Sequence, residues 1–213
     1  MKNKSLVLLA AVAIFLFPAT NFAQSSQPSE GISAGFKVGA NLSNVYDSDN
    51  QDFQADSKLG FTAGAFLSLP LGKYLGIQPE ILFSQKGFKG SGSILGSDYS
   101  FSRTTNYIDI PILLAIKPIR LITLLVGPQY SYLMKQKYEF KSATVNIEQE
   151  EQFKNEDIRK NTLCITGGFD VNLTNIVLSA RTGWDLQNNT ADETSSTPRY
   201  KNMWYQVTVG YRF

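Results

Sequence analysis

The sequence predicts an all-β fold: an eight-stranded antiparallel up-and-down transmembrane β-barrel with short periplasmic turns and long extracellular loops. Three observations predict it. Segments that alternate apolar and polar residues recur along the chain. The connections between them alternate long and short. The apolar set of these segments carries aromatic residues toward its ends.

The alternating segments lie at about 31–42, 58–69, 74–86, 104–117, 119–133, 160–173, 176–187 and 201–213. Long connections follow the first, third, fifth and seventh: SNVYDSDNQDFQADS, GFKGSGSILGSDYSFSR, residues 134–159, and NNTADETSSTPRY. Short turns follow the second, fourth and sixth: PLGK, a turn at Pro118, and TN at 174–175. An up-and-down barrel gathers all odd connections at one end and all even ones at the other. An even strand number leaves both termini at the short-turn end. The third long connection carries a weak alternation of its own, KYEFKSATVNIEQEEQF, consistent with a ribbon that prolongs the fifth and sixth strands beyond the membrane. Its charges nearly cancel, so a solvated loop competes there with a protein-binding arm.

Period two sorts each strand into two faces. In the last strand Met203, Tyr205, Val207, Val209, Tyr211 and Phe213 oppose Asn202, Trp204, Gln206, Thr208, Gly210 and Arg212. A soluble barrel would turn the apolar set inward, whereas a membrane barrel inverts this. Inversion is favoured because the polar face carries single mid-strand charges of both signs. These are Lys37, Arg181 and Arg212 against Glu80, Asp109, Asp170 and Asp185. They are the proposed lumen charge network, since charges in such an interior are expected to pair. Aromatics on the other face fall at two levels, as interfacial girdles do. Phe61, Phe83, Tyr130, Tyr132, Trp184 and Tyr205 lie toward the long loops, and Tyr211 and Phe213 at the opposite end. Glycines of inward parity, Gly35, Gly39, Gly60, Gly64, Gly168, Gly183 and Gly210, leave room for larger inward neighbours such as Phe66 or Trp204; a local bulge or bend is the competing reading.

The first 23 residues form a separate unit. Basic MKNK, a 12-residue apolar run and the small-residue stretch PATNFAQ give the layout of a secretory signal peptide cut after Ala23. The run is too short for a spanning helix, which needs roughly 20 residues. Residues 24–30 make a short leader, and 31–213 the barrel. Loss of Lys2 and Lys4 takes the formal charge from +2 to 0, so no basic stripe suggests nucleic acid. A single cysteine, Cys164, excludes an internal disulfide. Histidine is absent, which removes Ser-His-Asp and Cys-His nucleophile systems and the common zinc sites. The sequence points to no cofactor and no metal.

The stretches GISAGFKVGANLSN, GIQPEILFSQKG, YIDIPILLAIKP, LLVGPQYSYLM and VTVGYRF carry a resemblance. Over about residues 31–213 the chain resembles small outer-membrane barrels of the OmpA/OmpX type, and more closely the PorT-like outer membrane protein beta-barrel domain family. The resemblance implies residence in the outer membrane of Gram-negative bacteria, in a family often without an assigned activity. It also implies that a terminal strand ending in Phe, here with Val207, Val209, Tyr211 and Phe213, is read by the barrel-assembly machinery.

The expected function is that of a non-enzymatic, monomeric barrel in contact with outer-membrane lipid. Its role is structural or surface-interacting, its lumen is filled by side chains, and its long loops are available to an extracellular protein partner. Three alternatives remain at this point. One is a porin-like narrow pore or a component of a secretion or adhesion assembly. Another is a soluble lipocalin-like carrier, and the third an enzyme using only the carboxylates Glu80, Asp109 and Asp170.

Overall fold

Strict alternation dictates a sheet with two unlike faces, and a sheet that must hide both edges closes on itself. In the computed structural model, residues 31–47, 55–94, 97–142, 146–151, 159–188 and 200–213 are described. The expected signal peptide and the leader at 24–30 lie outside the described residues.

The strands are β1 (Ser33–Asp47), β2 (Asp56–Pro70), β3 (Leu75–Ile94), β4 (Ser97–Ile119), β5 (Ile122–Ser142), β6 (Asn146–Glu151), β7 (Asn161–Leu173), β8 (Ile176–Asp185) and β9 (Tyr200–Arg212). Eight of them form the ring in the order β4-β3-β2-β1-β9-β8-β7-β5, and β4 pairs β5 to complete it. Every pairing is antiparallel. The seam joins the first strand to the last, from Gly35 opposite Arg212 to Asp47 opposite Tyr200. Phe213 continues the ladder, its N–H donating to the Ala34 carbonyl at 2.9 Å.

Three features differ from the sequence reading. The second long connection is largely strand: β3 and β4 pair as far as Ile94 opposite Ser97. Glycine and serine fill this stretch and have low strand propensity, but ladder pairing decides the conformation. The third connection forms the expected ribbon, but from the prolonged end of β5 and a separate ninth strand, β6, which pairs β5 outside the ring. The tight turn expected at Pro118 falls at Arg120–Leu121, with Ile119 still paired to Ile122. A crossing strand needs roughly 9–11 residues. The 23 residues of β4 and 21 of β5 therefore carry the sheet well past the hydrocarbon as a ribbon.

The two faces are inverted relative to a soluble barrel. Phe36, Val38, Ile81, Ile112, Val207 and Val209 are each more than half exposed. Asn41, Thr62, Ser84, Asp109 and Gln129 are at most 1% exposed. The apolar set thus faces outward, which overturns the lipocalin-like alternative, since that carrier needs it around a cavity. Inside, large side chains fill the bore, including Phe66, Leu113, Leu133 and Trp204. A Cβ at Gly35 would strike the Phe66 ring, and one at Gly183 the Trp204 indole.

This arrangement makes a directional prediction. Val207 lies mid-wall, opposite Ala40 and Ala180, and is 64% exposed. Val207→Lys is expected to cost about 2–4 kcal/mol of folding stability in lipid vesicles. Chemical-denaturant titration read by heat-modifiable gel migration measures the loss.

Candidate functional site: the charged lumen

Alternation on β1, β3, β7 and β8 aims Lys37, Glu80, Asp170 and Arg181 at the same interior space. Lys37 Nζ lies 2.7 Å from Glu80 Oε1, with both side chains 2% exposed. Arg181 Nη2 sits 2.7 Å from Asp170 Oδ1 and 3.7 Å from Glu80 Oε1. The Arg181–Asp170 approach is a charge contact without hydrogen-bond alignment. Arg181 Nη1 instead donates to the Phe169 carbonyl at 2.9 Å. Gln78 Nε2 donates to Glu80 at 2.8 Å and to Asp170 at 3.3 Å, tying the two carboxylates together. Two cations meet two anions, so this cluster is neutral. Lys37 also lies 5.1 Å from the Phe66 ring centroid.

A second cluster lies nearer the long loops. Lys86 Nζ is 2.9 Å from Asp109 Oδ2. Ser131 Oγ donates to Asp109 Oδ1 at 2.6 Å. Lys86 also stands 5.0 Å from the ring centroids of both Tyr107 and Trp204. Such cation–π contacts strengthen when desolvated. Asp185 accepts from Cys164 Sγ at 3.0 Å, from the Asn202 N–H at 3.2 Å, and from Asn202 Nδ2. Between the clusters runs a neutral polar band, where Gln206 Nε2 donates to Asn41 Oδ1 at 2.8 Å and to Thr62 Oγ1 at 3.2 Å. Above the second cluster, Arg103 donates to Gln136 and stacks over Tyr138 at 5.0 Å.

Not every charge singled out by sequence joins these clusters. Arg212 sits at the short-turn rim. It donates to Asn172 Oδ1 at 3.0 Å and to the Thr174 carbonyl at 3.2 Å. The register of β9 against β1 and β8 keeps it below the Asp170 level. Asp109 pairs with Lys86 rather than with a predicted cation. Lys86 was missed because it closes the predicted third strand, beside an apparent loop. Its even parity with Glu80 and Ser84 is the signal that finds it. Arg103 was missed for the same reason, one residue outside the predicted fourth strand.

On the outer wall, Phe61, Tyr130, Tyr132, Trp184 and Tyr205 are exposed. Phe83 is half-buried against Phe61, with centroids 5.2 Å apart. Tyr130 Oη donates to Asn161 Oδ1 at 2.7 Å. At the opposite end Phe36, Tyr211 and Phe213 form one aromatic group across the seam, with centroids 5.6–6.1 Å apart. Val207 and Val209 are exposed on the same face. Among the described residues, no group of His, Cys, Asp and Glu is arranged to hold a metal ion.

Chemically, the clusters neutralise charge and occupy space. Removing one partner from such a buried set costs about 3–5 kcal/mol, whereas removing a matched pair costs far less. Glu80→Met is therefore expected to destabilise the barrel by that amount, because it strands Lys37. The Lys37→Met/Glu80→Met double variant should recover most of the loss. Unfolding titrations of the three proteins in one detergent check this.

Comparison with known proteins places the chain. A search of curated proteins finds no match. Among solved structures, the chain is similar to Ail, the attachment invasion locus protein of Yersinia pestis, in complex with the heparin analogue sucrose octasulfate. Identity is 15%, coverage 85% of this chain and 99% of that one, and the TM-score 0.50. It is likewise similar to a major outer membrane protein from Thermus thermophilus, with 13% identity, 84% and 99% coverage, and a TM-score of 0.51. These likenesses concern the fold. The family described as outer membrane protein beta-barrel domain matches residues 22–191, and the chain belongs to that family, as an integral protein of the outer membrane.

Proposed function

We propose that this protein is a non-enzymatic, monomeric outer-membrane barrel whose work is done at its outer surface rather than through its bore. The observation that carries this reading is the neutral Lys37–Glu80–Arg181–Asp170 cluster, packed across the lumen with every member at most 6% exposed. A narrow barrel filled by side chains leaves no aqueous path. Reading Lys37, Glu80, Asp109, Asp170 and Arg181 as a structural charge network accounts for their pairing without assigning them chemistry, and Asp185 joins it through hydrogen bonds from Cys164 and Asn202. The absence of histidine from the sequence supports the non-enzymatic reading. The β3–β6 ribbon is the natural site for an extracellular protein partner, because it projects beyond the span a bilayer requires. The membership is narrower still on this reading: a PorT-like protein of a Gram-negative cell, exported by a signal peptide at residues 1–23. Its outward-facing aromatics Phe61, Phe83, Tyr130, Tyr132, Trp184, Tyr205, Tyr211 and Phe213 anchor it at the two lipid interfaces.

Planar-bilayer recording of the refolded protein tests the closed lumen. The expected result is no large stable conductance, and a steady open level would refute it. The terminal strand, with Val207, Val209, Tyr211 and Phe213 on its outer face, further serves as the signal read by the assembly machinery. Deletion of Phe213 is then expected to reduce the folded outer-membrane fraction in cells. Normal assembly of the deletion variant would count against that role.

A further inference from the structure

The two ends of the barrel differ in their charge: one is basic and the other mixed. At the short-turn end, residues 31–34, 70–75, 117–122, 172–177 and 211–213 contain Lys73, Lys117, Arg120 and Arg212, and no Asp or Glu. Near the long loops, by contrast, both signs mix: Asp47, Asp56, Lys58, Lys89, Lys137 and Glu139 all lie there, and Lys137 and Glu139 pair at 3.0 Å.

The cations of the short-turn end are not equivalent. Arg212 is engaged by the Asn172 side chain and the Thr174 carbonyl. Lys73 and Arg120 are exposed in the β2–β3 and β4–β5 turns, and Lys117 is half-exposed beside them. These turns belong to one sector of the rim, because the Lys117 N–H donates to the Tyr74 carbonyl at 2.7 Å. They are also unusually apolar. Leu71 is 65% exposed, Tyr74 56%, Ile119 54% and Leu121 46%. Lys73 lies 5.3 Å from the Tyr74 ring centroid.

An apolar turn that carries an exposed cation is ill suited to bulk water. It suits the boundary where acyl chains meet headgroups, with the cation reaching outward to the phosphate level. The apolar side chains are continuous with the lipid-facing wall through Leu75, Ile116 and Leu124, all exposed. Resting on the reading of the chain as a membrane barrel, we propose that Lys73 and Arg120, with Lys117 beside them, form a binding site for the phosphate headgroups of anionic phospholipid in the leaflet at the short-turn end. The aromatic face of Tyr74 and the exposed Leu71, Ile119 and Leu121 seat the acyl chains. The other turn, at Thr174–Asn175, has polar residues at its tip and carries no cation of its own; the nearby Arg212 is held by Asn172 and Thr174.

Lipid selectivity of the full protein in mixed vesicles of phosphatidylcholine and phosphatidylglycerol tests this. Spin-labelled forms of each lipid report which one occupies the shell around the protein. The Lys73→Gln/Arg120→Gln variant is compared with Lys58→Gln/Lys89→Gln at the other end. Wild type should prefer phosphatidylglycerol, and the short-turn variant should lose that preference, by about fivefold per cation removed. The long-loop variant should keep it. Equal preference in all three proteins, or equal loss in both variants, would overturn the proposal. A heat-modifiable folded band in pure phosphatidylcholine establishes for each protein that the barrel itself is intact, so a failed lipid site is distinguishable from a failed barrel.

Discussion

A backbone N–H or C=O left unpaired in hydrocarbon costs several kcal/mol, and no side chain of a thin wall can repair a whole exposed edge. That constraint organises this protein. The pairing of β1 with β9 removes the two edges that an eight-stranded sheet would otherwise offer to lipid. The ladder extends to Phe213, whose N–H bonds across the seam to Ala34. Once the ring closes, the radius is fixed by strand number, and the interior must be filled at that radius. Glycine beside Phe66 and beside Trp204 is one consequence. The compensated charge clusters are another.

Those clusters show how charged side chains are accommodated in a buried polar interior. Lys37, Glu80, Arg181 and Asp170 satisfy one another's charge, and Gln78 links the two acids. Lys86 serves Asp109 while resting against two aromatic rings. Buried pairs of this type add little net stability over an apolar filling of the same volume. Here most apolar residues are committed to the outer wall, and the alternating pattern leaves mainly polar residues for the bore, with Phe66, Leu113, Leu133 and Trp204 among them. Long side chains with opposite charge fill it and cancel.

Much of this was legible in the sequence, because period two is a direct image of a two-faced sheet. Val207 and Thr208 fall on opposite faces for the same reason that their neighbours do. The alternation of PLGK and TN with long connections told which end was which. What escaped were features that depend on pairing across strands. The Gly/Ser-rich stretch after Lys86 looks like a loop until β4 is laid beside it. Lys86 and Arg103 were hidden at the edges of strands drawn too short. Arg212 shares the inward parity of the lumen charges, yet its height in the barrel, set by register rather than parity, places it at the rim beside Asn172. Ion pairing needs both coordinates, and a periodic pattern supplies only one.

The inversion of the two faces is the claim on which everything else stands, and the two tryptophans of the chain report on it directly. Trp184 is exposed on the outer wall at 38%, whereas Trp204 is 2% exposed inside the bore. Fluorescence quenching by brominated lipid distinguishes them in the single-tryptophan variants Trp204→Phe and Trp184→Phe, each folded in vesicles. The account predicts strong quenching of Trp184 and little or none of Trp204. Equal quenching of the two, or stronger quenching of Trp204, would contradict it.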